Sequence, residues 1–158
     1  MIRMPSILIV IMVTLAACAS GTTERKPVAP APETPKPGNL PSQTLPGGEC
    51  ALFLWTQGEP RRFIFFSRAS TGVAEVMFSE GQQTLTLTRQ GGTLFGQFMT
   101  DMDFVTPASE SVNLRITPGE LVENGQKISS GRIKILNAGG WETLIPVVGI
   151  RACQPDTE

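Results

Sequence analysis

The chain predicts an all-β domain, a small antiparallel barrel or sandwich of about eight strands. Short apolar or alternating segments recur with turn residues about every eight to twelve positions, and no convincing helical period interrupts them. Size agrees: of 158 residues, roughly 105 remain once the N-terminal segments are set aside, enough for one modest core and one domain, residues 49–158.

Cys50-Ala-Leu-Phe-Leu-Trp55 is continuously apolar, as a strand covered on both faces would be. Thr56 to Pro60 is a turn cluster, and Arg62 to Phe66 completes a hairpin rich in β-formers. Gly72 to Phe78 is a third strand, broken by Glu80-Gly81 before Thr84-Leu-Thr-Leu-Thr88, where Leu85 and Leu87 face inward and the threonines outward. Gln90-Gly91-Gly92 reads as a hairpin turn into Leu94 to Met99, with Gly96 marking a bulge or a sharp coil. Asp101 to Val105 continues or follows that strand, with Met102 and Phe104 on one side and both aspartates on the other.

Ser111 to Ile116 alternates again, Thr117-Pro118-Gly119 reads as a turn, and Glu123-Asn124-Gly125 as a second one. Gly131 to Leu136 alternates, and Asn137 to Gly140 connects it to the last strand, Trp141 to Ala152. Pro146 and Gly149 interrupt that strand and indicate a bulge or an edge position.

The N-terminus has a different character. Arg3 supplies a basic start, and the apolar run from Ile7 to Ala17 is about eleven residues, far short of the roughly twenty that span a bilayer as a helix. Residues 1–17 therefore read as a signal peptide. Leu15-Ala16-Ala17-Cys18 resembles the bacterial lipobox. The resemblance implies cleavage before Cys18, a diacylglycerol thioether on its sulfur and acylation of the new amino terminus. Several acyl chains on one residue anchor a protein without a helix, since each buried methylene contributes about 0.8 kcal/mol. The alternative is an ordinary secretory signal with a chance cysteine.

Ala19, in place of an aspartate, points by the same resemblance to the outer membrane, facing the periplasm. Residues 18–48 then form a disordered tether. Pro27, Pro30, Pro32, Pro35, Pro37, Pro41 and Pro46 are too closely spaced for helix or sheet, and extended polyproline II would reach about 90 Å. An exported domain sits in an oxidising compartment, where Cys50 and Cys153 are expected to form a disulfide; two buried free thiols are the alternative. Clipping first strand to last favours a closed or nearly closed barrel, which removes exposed edges.

Chemistry is sparse. A net charge of −1 without a basic stripe excludes the usual nucleic-acid binder. With no histidine, the His-based nucleophile systems and the commonest zinc sets are excluded, and no glycine-rich phosphate loop is present. Asp101 and Asp103 form the best carboxylate pair, spaced for acid–base work or calcium but also for a solvated face. Arg61, Arg62 and Arg68 form a local positive cluster, able to meet lipid phosphates or carboxylates, or simply solvated. Trp55, Phe63, Phe65, Phe66, Phe95, Phe98, Phe104 and Trp141 fall at strand spacing and are expected in the core.

Anchor, tether and disulfide-clipped β-domain are together similar in plan to small envelope lipoproteins such as the membrane-bound inhibitors of C-type lysozyme. Gly92-Thr-Leu-Phe-Gly96 is an echo of that family's tyrosine-bearing segment, and no site residue carries over. The expectation is a non-enzymatic lipoprotein, needing no cofactor or metal, whose domain binds an envelope protein or helps maintain the cell surface. The alternative is a barrel carrying a small apolar molecule or lipid, and a third reading is an enzyme using Asp101 or Asp103.

Overall fold

Eight antiparallel strands follow one another around a closed barrel: β1 (Cys50–Thr56), β2 (Phe63–Arg68), β3 (Val73–Phe78), β4 (Gly81–Phe95), β5 (Phe98–Val105), β6 (Ser111–Val122), β7 (Gly125–Leu136) and β8 (Glu142–Cys153). Each pairs with the next, and β8 returns to β1 over seven residue pairs from Cys50↔Cys153 to Thr56↔Val147. The structure, a computed structural model, describes residues 38–156. The expected signal peptide, Cys18 and the tether up to residue 37 lie outside the described residues.

Period-2 alternation sorts the side chains. Leu52 and Leu54 of β1, Val76 of β3, Leu85 of β4, Met102 and Phe104 of β5, Val112 and Leu114 of β6, Ile133 of β7 and Val147 of β8 point inward and are almost fully buried. The interior is filled by these side chains, with Phe65 edge-on to Phe104 at 5.7 Å between ring centroids. Cys50 and Cys153 form the expected disulfide across the β1–β8 seam, closing a sequence separation of 103 residues.

Two expected turns are not turns. Gly91-Gly92 lies inside β4, which runs on to Phe95, and the register with β5 shifts between Gly91 and Leu94. The hairpin turn is Gly96-Gln97. Gly96 has φ 64°, as the first central residue of a two-residue hairpin loop requires. Gly92 also takes positive φ, at a bulge rather than a reversal, so the two sites exchange roles relative to expectation. Thr117-Pro118-Gly119 likewise sits within β6, at a register shift against β7 and beyond Arg115, the last residue of β6 paired to β5. Proline is tolerated in a strand at such an irregularity, where ladder hydrogen bonds are already interrupted.

β8 is not an edge strand. It pairs with β7 and with β1 throughout most of its length, and the bulge of this pair lies on β7, between Ile128 and Gly131. Gln57 N donates to the Pro146 carbonyl, so the main-chain polar atoms of Pro146 face β1 just past the end of its ladder, where no donor is missed. At Gly149 a Cβ would run into the Phe53 carbonyl oxygen and the Leu54 side chain, so glycine here lets β1 approach.

Residues 38–48, expected as part of the tether, are packed on the barrel. Residues 38–48 lie along the outside of β1 to β3 as a strap, with Leu40 buried on Ala51 and Phe66 and with Leu45, Phe53, Phe63 and Met77 around them. Leu40 N donates to Phe63 O, and Phe63 N donates to Asn39 Oδ1, one edge pair at each residue. Gly48 N donates to Gln154 O at the disulfide end. This strap is the second cover that the continuously apolar β1 requires.

Candidate functional site

The opposite wall is bare. Strands β4 to β8 turn a polar face outward, and their registers line its side chains up in rows. One row reads Arg89, Asp103, Asn113, Lys134 and Leu144; the next reads Asp101, Arg115, Arg132 and Pro146. Along this face runs an open groove of about 820 Å³, bordered by the first row, by Arg115 and Arg132 of the second, and by Leu136 and Glu142. A second hollow of about 510 Å³ continues it past Asp101, Arg115 and Arg132 towards Gly92.

Asp101 and Asp103 do face outward together, as their spacing predicts. One amide clips them: Asn113 Nδ2 donates to Asp101 Oδ1 at 2.7 Å and to Asp103 Oδ1 at 2.6 Å. Arg115 Nε lies 3.0 Å from Asp101 Oδ2, and Arg89 Nε donates to Asp103 Oδ2 at 2.6 Å. All four carboxylate oxygens are thus engaged by neighbours. The Asn113 amide foremost, and then the Arg89 and Arg115 guanidinium groups, hold the Asp103 carboxyl below its ordinary value, outweighing burial, which pushes it up. The same bond raises Arg89 above its ordinary value. The pair is therefore the anionic half of a cross-strand charge ladder. Among the described residues no group of three or more histidine, cysteine or acidic side chains is placed to hold a metal.

The expected arginine cluster is divided. Arg61 and Arg62 lie in the loop between β1 and β2, whereas Arg68 is the last residue of β2, a strand's length away. Arg68 sits over the Phe66 ring at 5.9 Å, and Arg61 is 3.9 Å from Glu59. The aromatics divide too. Phe65, Phe95, Phe98 and Phe104 fill the interior, but Phe63 and Phe66 lie outside under the strap, Trp55 packs on Phe63 at 5.3 Å, and Trp141 is 77% exposed.

The groove brings together residues that the sequence reading did not single out. Leu136 and Leu144 are 42% and 55% exposed beside it, and Trp141 stands at the neighbouring turn, where Trp141 N donates to Asn137 Oδ1. Leu136 breaks the alternation of β7, falling in phase with the outward Arg132 and Lys134, and that break was readable. Arg115, Arg89 and Asn113 meet the aspartates only through strand register, which spacing along the chain does not encode. Arg151, also missed, points inward at the disulfide end, 5.5 Å from the Phe95 centroid, with Nη1 3.4 Å from Cys153 Sγ and a buried, unpartnered Nε.

At the loop end a recess of about 320 Å³ is bordered by Ile64, Phe78, Ile135 and Ile145 with the polar Thr56 and Asn137. No helix among the described residues is long and apolar enough to cross a membrane. Comparison with protein-family models, curated proteins and solved structures yields no match to this chain.

Proposed function

We propose that this protein is a non-enzymatic lipoprotein of a bacterial envelope whose β-domain binds another envelope protein. The observation that carries this reading is the contrast between a barrel interior packed with side chains, apart from the small recess at its loop end, and a larger outer groove left open on β4 to β8. A carrier of apolar molecules needs a hollow interior. A binding module needs a rigid wall with exposed apolar and charged side chains, and a disulfide-closed barrel presents one.

Anchorage follows the lipobox resemblance. With Cys18 lipidated, the segment from Ala19 to residue 37 would reach about 60 Å when extended, less than a tether running to residue 48. It joins the domain at Gly38, which lies beside Arg62 at the loop end. The outer membrane, facing the periplasm, is the compartment proposed.

Two measurements test the reading. Cys18→Ser should move the protein from the membrane to the soluble fraction, and unchanged membrane association would count against the anchor. Crosslinking in intact cells should yield a discrete protein adduct, while solvent extraction of the purified protein should release no stoichiometric lipid beyond the anchor. Recovery of a bound lipid without any protein adduct would replace the binding reading with the carrier one.

A further inference from the structure

The groove is one carboxylate short. Its two rows and border hold four cations, Arg89, Arg115, Arg132 and Lys134, against three carboxylates, Asp101, Asp103 and Glu142. Arg89 pairs with Asp103, Arg115 with Asp101, and Lys134 Nζ lies 3.3 Å from Glu142 Oε2. Among the described residues no hydrogen bond or ion pair engages the Arg132 side chain.

Its placement is costly. Arg132 stands directly opposite Arg115 across the β6–β7 pair and two residues from Lys134 on the same face of β7. Like charges facing each other across strands destabilise a sheet, and Cβ atoms of such pairs are about 5 Å apart. A local rule broken on an otherwise regular wall is the kind of feature that a binding site leaves. An oxyanion over Arg132 would relieve the repulsion, and a guanidinium binds a carboxylate through two parallel N–H donors.

The surroundings select among anions. Leu144 and Leu136 flank the cationic row and Trp141 stands just beyond, so the anion would arrive with apolar groups on one side. A free ion would leave those side chains in water, and nucleic acid would meet the three paired carboxylates. Exposed tryptophan and arginine are residue types that anchor protein interfaces, and Arg132 and Trp141 stand towards opposite ends of the same groove.

We infer that the outer groove of β5 to β8 docks a segment of a partner protein that places an aspartate or glutamate on Arg132 and apolar side chains on Leu136, Leu144 and Trp141. This rests on the binding reading above and names its face and its chemistry. Arg115 keeps its bond to Asp101 and Lys134 its bond to Glu142, so both border the incoming carboxylate without being released.

The test uses the full lipidated chain in intact cells, with a photo-crosslinking amino acid in place of Leu144 or, separately, of Thr44, which is exposed on the strap. The expected result is a protein adduct from Leu144 whose crosslinked segment carries an acidic residue. Arg132→Glu should lower its yield at least tenfold, and reversing that acidic residue to lysine should restore it. Arg132 is exposed, and an unfolding midpoint at or above that of the parent verifies that the variant folds. A Leu144 adduct with lipid, with a segment lacking carboxylates, or indifferent to Arg132→Glu overturns the site. Adducts from Thr44 alone overturn the site but leave the binding reading standing, whereas no protein adduct from either position overturns both.

Discussion

The barrel has two walls that use the same inward alternation and differ only in what they turn outward. On β1 to β3 the outward residues include Ala51, Phe53, Phe63 and Phe66, and the protein covers them with its own residues 38–48. On β4 to β8 the outward residues are mainly threonines, aspartates and basic side chains with single exposed leucines such as Leu136 and Leu144 among them, and nothing among the described residues covers them. A strand with apolar residues on both faces demands a second layer, and a strand with one polar face does not. The wall that had to be covered is therefore closed, and the wall that did not is available for a partner.

The two walls meet at the β1–β8 seam, and breaking it has the largest expected effect. Closing a loop of 103 residues lowers unfolded-chain entropy by roughly 4 to 5 kcal/mol equivalent in the loop-closure relation. Reduction, or Cys50→Ser with Cys153→Ser, should lower the free energy of unfolding extrapolated from urea titration by that order, without changing strand content in circular dichroism. A loss well under half of this would mean that β1–β8 pairing holds the seam by itself.

Next comes the strap. Leu40→Ala should cost about 2 kcal/mol, the low end for a buried leucine because the gap it leaves opens to solvent. Truncation sharpens the comparison: a chain beginning at residue 38 should keep the parent's midpoint, while one beginning at Glu49 should lose stability and bind a hydrophobic dye through Phe53, Phe63 and Phe66. Equal midpoints for the two would return residues 38–48 to the status of a tether.

A smaller effect separates the bare wall from the covered one by pH. Asp103 has its carboxyl held below the ordinary value in the folded state, so its contribution is fully present above the unfolded value near 4. It is lost as pH falls through the lower folded value. Asp103→Asn should flatten this acid limb of the stability curve, whereas Leu40→Ala should shift the whole curve down in parallel. Unfolding midpoints measured between about pH 2 and 6 distinguish the two.

Alternation made the barrel legible: Leu85 between threonines, and Met102 and Phe104 alternating with aspartates, declare which face is inside, and the core contains each of these residues. The turns were less legible, because Gly91-Gly92 and Gly96 all permit positive φ and only pairing with β5 decides which of them reverses the chain. The strap was hidden by its prolines. Pro41 and Pro46 suggest an extended tether, yet Leu40 and Leu45, each directly before one of these prolines, are the apolar contacts that dock it. Two residues of the candidate site were visible as Asp101 and Asp103; the other four, Arg89, Asn113, Arg115 and Arg132, come from three other strands whose register no local pattern states.

The smallest expected effect is also the one with an unusual sign. Replacing an exposed arginine normally leaves stability almost unchanged or slightly lower. Arg132 faces Arg115 directly and Lys134 two residues away, and no carboxylate of the wall offsets it. Arg132→Gln should therefore raise stability by a few tenths of a kcal/mol, towards the low end of cross-strand pair energies. Added salt should shrink the gain by screening the same repulsion. Arg89→Gln is the control, since it removes a paired cation and should lower stability instead. Opposite signs for two arginines on one wall would locate the uncompensated charge at Arg132, and a loss of stability in both would mean that Arg132 already has its anion within the fold.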